Sequence, residues 1–251
     1  MRVLDRSVHP SVGGGGGVRA GGSAGSPPTG QPLIPDWAAR WGAVALLVRP
    51  AYIATEFVVA AASTGGYSFA DDSVSDLGAV GCTAAYCSPN HALMNGSFVG
   101  FGVLLTVGAL LLSRTFGPWV TGLLVVSGPS SVATGLAPLD QDPTLHTFAA
   151  APLFVAQPVA LIALAARSWS VRPGLARALL VTGVVTSFAA VAFVLHGDGA
   201  GAGALERLAL WPVLVALAGV GWTYLRVGPS QSPHAPARQR HKGAEPNGDL
   251  R

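Results

Sequence analysis

The residues of this chain best suited to chemistry are three histidines and the carboxylates and hydroxyls near them. His91, His146 and His196 stand at the ends of long apolar stretches, whereas His9, His234 and His241 lie in polar tails. Near the first three lie Asp71, Asp72, Asp76, Asp140, Asp142, Asp198 and Glu206. Two chemistries suit such a set. His91, His146 and His196 with a carboxylate could ligate a divalent metal such as zinc and activate a water. Alternatively, Ser75, Asp76, Asp140 and His146 could form a catalytic group in which the imidazole moves a proton near neutral pH. The plainer reading is that polar side chains gather at helix ends, where water is available. No HExxH, P-loop or GxGxxG pattern is present, so zinc-protease, nucleotide and dinucleotide readings gain no support.

The elements that must position these residues follow from composition. Of 251 residues, 50% are hydrophobic and 11% charged, well under the roughly 25% charge of a soluble domain. Too little charge is available to cover a water-facing surface. A bilayer core of roughly 30 Å needs about 20 apolar residues per helix. Six stretches qualify: Gly42 to Ala62, Ala92 to Ser113, Pro118 to Ala137, Thr147 to Ala166, Ala178 to Leu195 and Leu208 to Leu225. The expected fold is an all-α polytopic membrane protein with six transmembrane helices over residues 41–226. Residues 1–40, with the run Gly13–Gly17, and residues 227–251, rich in Pro, His and Arg, read as disordered tails.

Charge placement gives orientation. Every Lys and Arg except Arg49 and Arg207 falls in a tail or in a connection on one side of the spans. That side is expected to be the cytoplasm, with both termini there. The basic balance of +3 is therefore topogenic, and the lipid bilayer rather than nucleic acid is the expected partner. Arg outnumbers Lys 14 to 1, a bias of GC-rich bacterial genomes, which points to a bacterial plasma membrane.

Polar residues inside the spans come next. Arg49 and Glu56, seven apart in the first span, are expected either to pair with one another or to leave Glu56 lining an outward-facing cavity. Asn95 lies one turn inside His91. Cys82 and Cys87 occupy the long exterior loop, where an oxidising environment favours a disulfide between them. Within that loop, the Asp and Ser residues from Asp71 to Asp76 either cap a short helix or place Ser75 and Asp76 beside His146. Gly96 and Gly100 predict a close-packing face, and Pro129 a kink eased by the hydroxyls of Ser130 and Ser131.

Four segments in order carry a resemblance. They are Gly66-Tyr67-Ser68 with Ser73-Val74-Ser75-Asp76-Leu77-Gly78, then Met94-Asn95-Gly96 with Gly100 or Gly102. Gly135-Leu136-Ala137-Pro138-Leu139-Asp140 leading to His146 follows, and Gly203-Ala204-Leu205-Glu206-Arg207 closes the series. Together they resemble the bacterial six-span membrane family catalogued as domain of unknown function 998. The resemblance implies fold and topology from about Gly42 to Arg226; it implies no activity, because the family's own is uncharacterised. The residue types are also similar to those of seven-span zinc membrane hydrolases, but the HxxxH pair and the seventh span are absent.

Three function classes stay open on these residues. One is a membrane-embedded enzyme, metal-dependent or not, acting on a lipid or lipid-linked substrate. The others are a small-solute or proton-coupled transporter and a non-catalytic accessory or scaffold protein.

Overall fold

The computed structural model describes residues 36–197 and 199–227; residues 1–35 and 228–251 of the expected terminal tails, with His9, His234 and His241, lie outside these, as does Asp198, whereas residues 36–40 and 227, expected in the tails, are helical. In the described residues seven α-helices form six membrane-spanning units: α1 (Asp36–Leu47) with α2 (Ala51–Ala62), α3 (His91–Leu111), α4 (Ser113–Leu136), α5 (Pro143–Ser168), α6 (Pro173–His196) and α7 (Ala202–Val227). Among the described residues there is no strand, and six units are long and apolar enough to cross a membrane. Each spanning unit packs on its chain neighbour, and α7 closes the ring against α1. The long loop between α2 and α3 marks one end of the bundle, called here the loop end.

Large apolar side chains face outward as well as inward. Phe148, Val181, Phe188, Val191 and Leu195 are exposed on α5 and α6, as a lipid-facing surface requires. The exposed Trp37, Trp41, Trp119 and Trp222 on the helices, and Trp169 just past α5, all stand at the end opposite the loop, forming an aromatic girdle. Phe116, Leu46, Leu105, Leu112, Leu124, Leu161 and Leu217 fill one core cluster. A second, nearer the loop, joins Tyr52, Val59, Met94 and Phe98 to Val74 and Leu77 of the loop itself.

The first span is not one helix. Pro50 has no N–H to give, so the ladder changes to i to i+3 bonds there: Arg49 N–H donates to the Leu46 carbonyl (3.3 Å) and Ile53 N–H to that of Pro50 (3.0 Å). The helices α5, α6 and α7 outrun their apolar stretches at both ends, because a helix continues into the polar interface past the last lipid-facing residue. At α7 this matters: the helix begins at Ala202, so Glu206 and Arg207 are buried helical residues, not exterior loop.

Close helix contact also falls elsewhere than expected. A Cβ on Gly96 or Gly100 would meet nothing within 4 Å. On Gly102 it would come within 2.6 Å of the Gly128 carbonyl, so Gly102 and Gly128 allow α3 and α4 to touch. Pro129 leaves the helical dihedrals of α4 intact; the one break is at Gly117 (φ 75°), after which the helix restarts at Pro118. The hydroxyls after Pro129 turn outward to neighbours. Ser131 Oγ donates to the Phe98 carbonyl (2.8 Å). Ser130 Oγ donates to the Ala149 carbonyl (2.5 Å) and accepts from Leu153 N–H (3.1 Å). Ser130 thus inserts into the α5 ladder beside Pro152, opening that helix where it faces the bundle.

Arg49 and Glu56 do not pair with each other. Glu56, fully buried, accepts from Arg207 Nε at 2.7 Å and from Trp211 Nε1 at 2.8 Å, both on α7. Arg207 also donates to the carbonyls of Phe69 (2.7 Å) and Asp72 (2.8 Å) and to the Tyr67 hydroxyl. Its guanidinium lies 4.9 Å from the Phe69 ring centre. Arg49 instead gives Nη1 to the Phe101 carbonyl at 3.0 Å. The reason is geometric: Pro50 breaks the helix between the two residues and leaves them on separate segments. Removing one member of a buried, hydrogen-bonded pair strands the other charge, at about 3–5 kcal/mol. Arg207→Ala and Glu56→Ala are each expected to lower thermal stability in detergent by that order. The double variant should lose less than the sum of the two, as melting curves of all four proteins will reveal.

Candidate functional site

The loop of residues 63–90 is a frame built from short polar side chains. Asp72 accepts from Ser68 N–H (2.6 Å) and Asp71 from Ser68 Oγ (2.8 Å). Asp76 accepts from both Ser73 N–H and Ser73 Oγ (2.8 Å each), while Asp76 N–H returns to Ser73 Oγ (3.1 Å). This reciprocal cap starts a 3₁₀ turn, Ser75–Gly78. Four further groups pin the turn. Val74 N–H donates to Glu206 Oε2 (2.7 Å), Ser88 Oγ to the Leu77 carbonyl (2.7 Å), Tyr86 Oη to that of Asp76 (3.1 Å) and Asn95 Nδ2 to that of Gly78 (2.8 Å). A disulfide joins Cys82 and Cys87, and an antiparallel bridge pairs Thr64 with Cys87, closing the loop at its base.

The turn delivers Ser75 to His146. Asp142 caps α5 by accepting Leu145 N–H (2.8 Å), and Pro143 occupies its first turn, so His146 projects back towards the end of α4. There the Ala137 carbonyl, past the last full turn, has no intrahelical donor. His146 Nδ1 lies 2.6 Å from it and must carry the proton, because a carbonyl can only accept. In the neutral ring Nε2 is then a bare acceptor, and the Ser75 hydroxyl, 2.8 Å away, donates to it. Both residues are buried, His146 at 6% exposure.

Two cavities meet at Ser75. The larger, of about 450 Å³, runs between α5 and α6 and is walled mainly by valine, leucine, phenylalanine and alanine. Its polar end is Ser73, Ser75, His146, Thr147 and Glu206. The smaller, of about 40 Å³, lies inside the bundle and shares Ser75, Ala150, Phe154 and Glu206 with the first. Arg49, Tyr52, Gln157 and Thr134 line it, and there the Arg49 Nε and Tyr52 hydroxyl have no protein partner. Such a volume suits about one or two waters. Glu56 lines neither cavity.

The other proposed site residues are employed separately. Asp76 is consumed by Ser73. Asp140 accepts from Val80 N–H (3.1 Å) and Gly81 N–H (2.8 Å), tying the loop to the α4–α5 turn. The three histidines are not brought together: His91 Nδ1 donates to the Ser88 carbonyl (3.0 Å) and His196 Nε2 to that of Ala200 (2.9 Å), away from the His146 pair. Among the described residues no group of three His, Cys, Asp or Glu side chains is placed to hold a metal. The helix ends that carry these histidines are spread around the ring of the bundle, and each imidazole gives one nitrogen to a nearby carbonyl instead. By sequence Glu206 and Arg207 fall just before the last apolar stretch and read as exterior, with no role assigned to Arg207. Their signal was two adjacent opposite charges at the head of an apolar span.

The loop attachments carry a pH dependence. Asp71 is held below its ordinary value of 3.8 by Gly201 N–H and the Ser68 hydroxyl. Burial pushes Asp140 up, but the Gly81 and Val80 N–H groups and the Gln141 amide outweigh it, leaving it below 3.8. A carboxylate with a depressed folded value stabilises the fold fully above its unfolded value and loses that contribution as pH falls through the folded one. Amide protection at Val80, Gly81 and Gly201 is therefore expected to hold at neutral pH and fall only below about pH 4. In Asp140→Asn the Val80 and Gly81 protection should be weakened at every pH, while Gly201 keeps the wild-type profile; hydrogen-exchange mass spectrometry reads both.

No curated protein and no solved structure matches the chain. A family model described as "Protein of unknown function (DUF998)" matches residues 37–223, which takes in α2 to α6, the loop and nearly all of α1 and α7. Ser75, His146, Glu56, Glu206 and Arg207 all lie within that match, and this chain, with its six apolar spans, belongs to the DUF998 family.

Proposed function

We propose that this integral membrane protein is a membrane-embedded hydrolase or acyltransferase that uses Ser75 as nucleophile and His146 as general base on a lipid or lipid-linked ester. The observation that carries this reading is the pair itself. Ser75 Oγ sits 2.8 Å from His146 Nε2, and His146 Nδ1 is locked on the Ala137 carbonyl in the tautomer a base requires. The backbone carbonyl takes the orienting place that a carboxylate holds in a three-residue arrangement.

In the proposed reaction Ser75 Oγ bonds to the acyl carbon as its proton passes to His146 Nε2. The ester C–O bond then breaks, and the departing alkoxide takes that proton. Water or a second alcohol, deprotonated by the same nitrogen, releases the acyl group and restores Ser75. The large apolar cavity supports a substrate that enters sideways from the bilayer, its chain along α5 and α6 and its polar part at Ser75. We place the loop end on the outer face of a bacterial plasma membrane and both termini in the cytoplasm. The sorting of Lys and Arg and the Cys82–Cys87 disulfide support that orientation. The metal-dependent form of the enzyme reading loses its support with the separation of His91, His146 and His196. The transport reading loses its with the closure of Glu56 by Arg207 and Trp211.

A fluorophosphonate probe tests the pair without knowledge of the substrate. The detergent-purified protein is expected to be labelled at Ser75, Ser75→Ala to lose the label, and His146→Ala to react about a hundred-fold more slowly or less. Melting curves check that the variants stay folded. Labelling that persists in Ser75→Ala, or that His146→Ala leaves at full rate, contradicts the proposal.

A further inference from the structure

The large cavity has a polar end of one sign. Setting His146 aside, Glu206 is, among the described residues, the only charged side chain that lines it. Glu206 is 3% exposed, and among the described residues its hydrogen bond is the one from Val74 N–H to Oε2. Among the described residues no Lys or Arg is hydrogen-bonded to it. Arg207, next in the chain, is occupied by Glu56, Tyr67 and the carbonyls of Phe69 and Asp72. Arg49 borders the smaller cavity, which Glu206 also lines, but gives Nη1 to the Phe101 carbonyl rather than to Glu206. A carboxylate against apolar walls acts through a low dielectric, so its attraction for a cation, and its repulsion of an anion, is much stronger than in water.

We infer that the large cavity selects a lipid or long-chain compound whose head carries a protonated amine, held by Glu206, with its alkyl chain between α5 and α6. The inference rests on reading this cavity as the substrate site, but binding needs no reaction at Ser75. An ammonium there completes the hydrogen bonding of the carboxylate with a charge-assisted bond. Glu206 and Ser75 line the same polar end, so the amine sits beside the bond to be cleaved. Lipids with anionic heads meet like charge at the same place and are excluded.

The test uses dodecylamine, dodecanol and dodecanoate, titrated separately into the full-length protein in non-ionic detergent, with melting temperature as the readout. Dodecylamine is expected to raise the melting temperature saturably in the wild type and equally in Ser75→Ala. Its half-saturation should weaken about ten-fold or more in Glu206→Gln, which keeps an acceptor for Val74 N–H. Dodecanol should bind more weakly than the amine and respond little to Glu206→Gln, and dodecanoate should not stabilise. Val191→Trp, which fills the cavity wall and leaves Glu206 in place, should abolish the effect of the amine. The inference is overturned if dodecanoate matches dodecylamine, if Glu206→Gln leaves the amine titration unchanged, or if Val191→Trp does. A Ser75→Ala protein that still binds the amine, in a chain that fails fluorophosphonate labelling, would end the catalytic reading and leave this one standing.

Discussion

The structure at the loop end depends on one ion pair. Glu56 and Arg207 are both buried in an apolar bundle, where each alone would be expensive, and each satisfies the other at 2.7 Å. Arg207 has donors to spare, and they reach the Phe69 and Asp72 carbonyls and the Tyr67 hydroxyl. One guanidinium therefore joins α2, α7 and the start of the loop. Glu206, the neighbouring residue, holds Val74 and so the 3₁₀ turn that begins at Ser75. Two consecutive residues of α7 set the floor on which the reactive serine stands.

His146 reaches the same point from the other side of the ring. Its ring is oriented by a carbonyl that α4 leaves free at its end, and its backbone by the Asp142 cap of α5. The Ser130 hydroxyl opens α5 between Ala149 and Leu153, and Ala150 and Phe154 there line both cavities. An interrupted ladder in a spanning helix is tolerated because a neighbouring side chain satisfies the freed groups. The site thus combines an apolar compartment open towards lipid, a small polar compartment within the bundle, and a serine–histidine pair between them.

Much of the bundle was legible in the sequence because a bilayer imposes a one-dimensional rule. A span must be apolar for its full length, and the few charges must sort by side. Contacts between spans obey no such rule. Glu56 and Arg207 are separated by 151 positions, and nothing in periodicity tells which helices will be neighbours. Arg49 and Glu56 look paired at a spacing of seven until Pro50 divides their helix. Gly96 and Gly100 form a recognisable motif, yet the close approach uses Gly102 and Gly128, whose spacing is set by the packing of α3 on α4. Ser75 and His146 stood among the proposed catalytic residues by type. Their union, and the separate employment of Asp76 and Asp140, depend on a loop whose caps are local but whose anchors, Glu206 and Asn95, are remote.

The protonation pattern of His146 tests the central claim most directly. Nitrogen-15 magnetic resonance of the ring, in protein labelled at histidine and assigned with His146→Gln, distinguishes a protonated from a bare nitrogen. At neutral pH the account predicts a proton on Nδ1 and an unprotonated Nε2 whose resonance carries the signature of an accepted hydrogen bond, lost in Ser75→Ala. A proton on Nε2 with Nδ1 bare, or an Nε2 resonance that Ser75→Ala leaves unmoved, would contradict it.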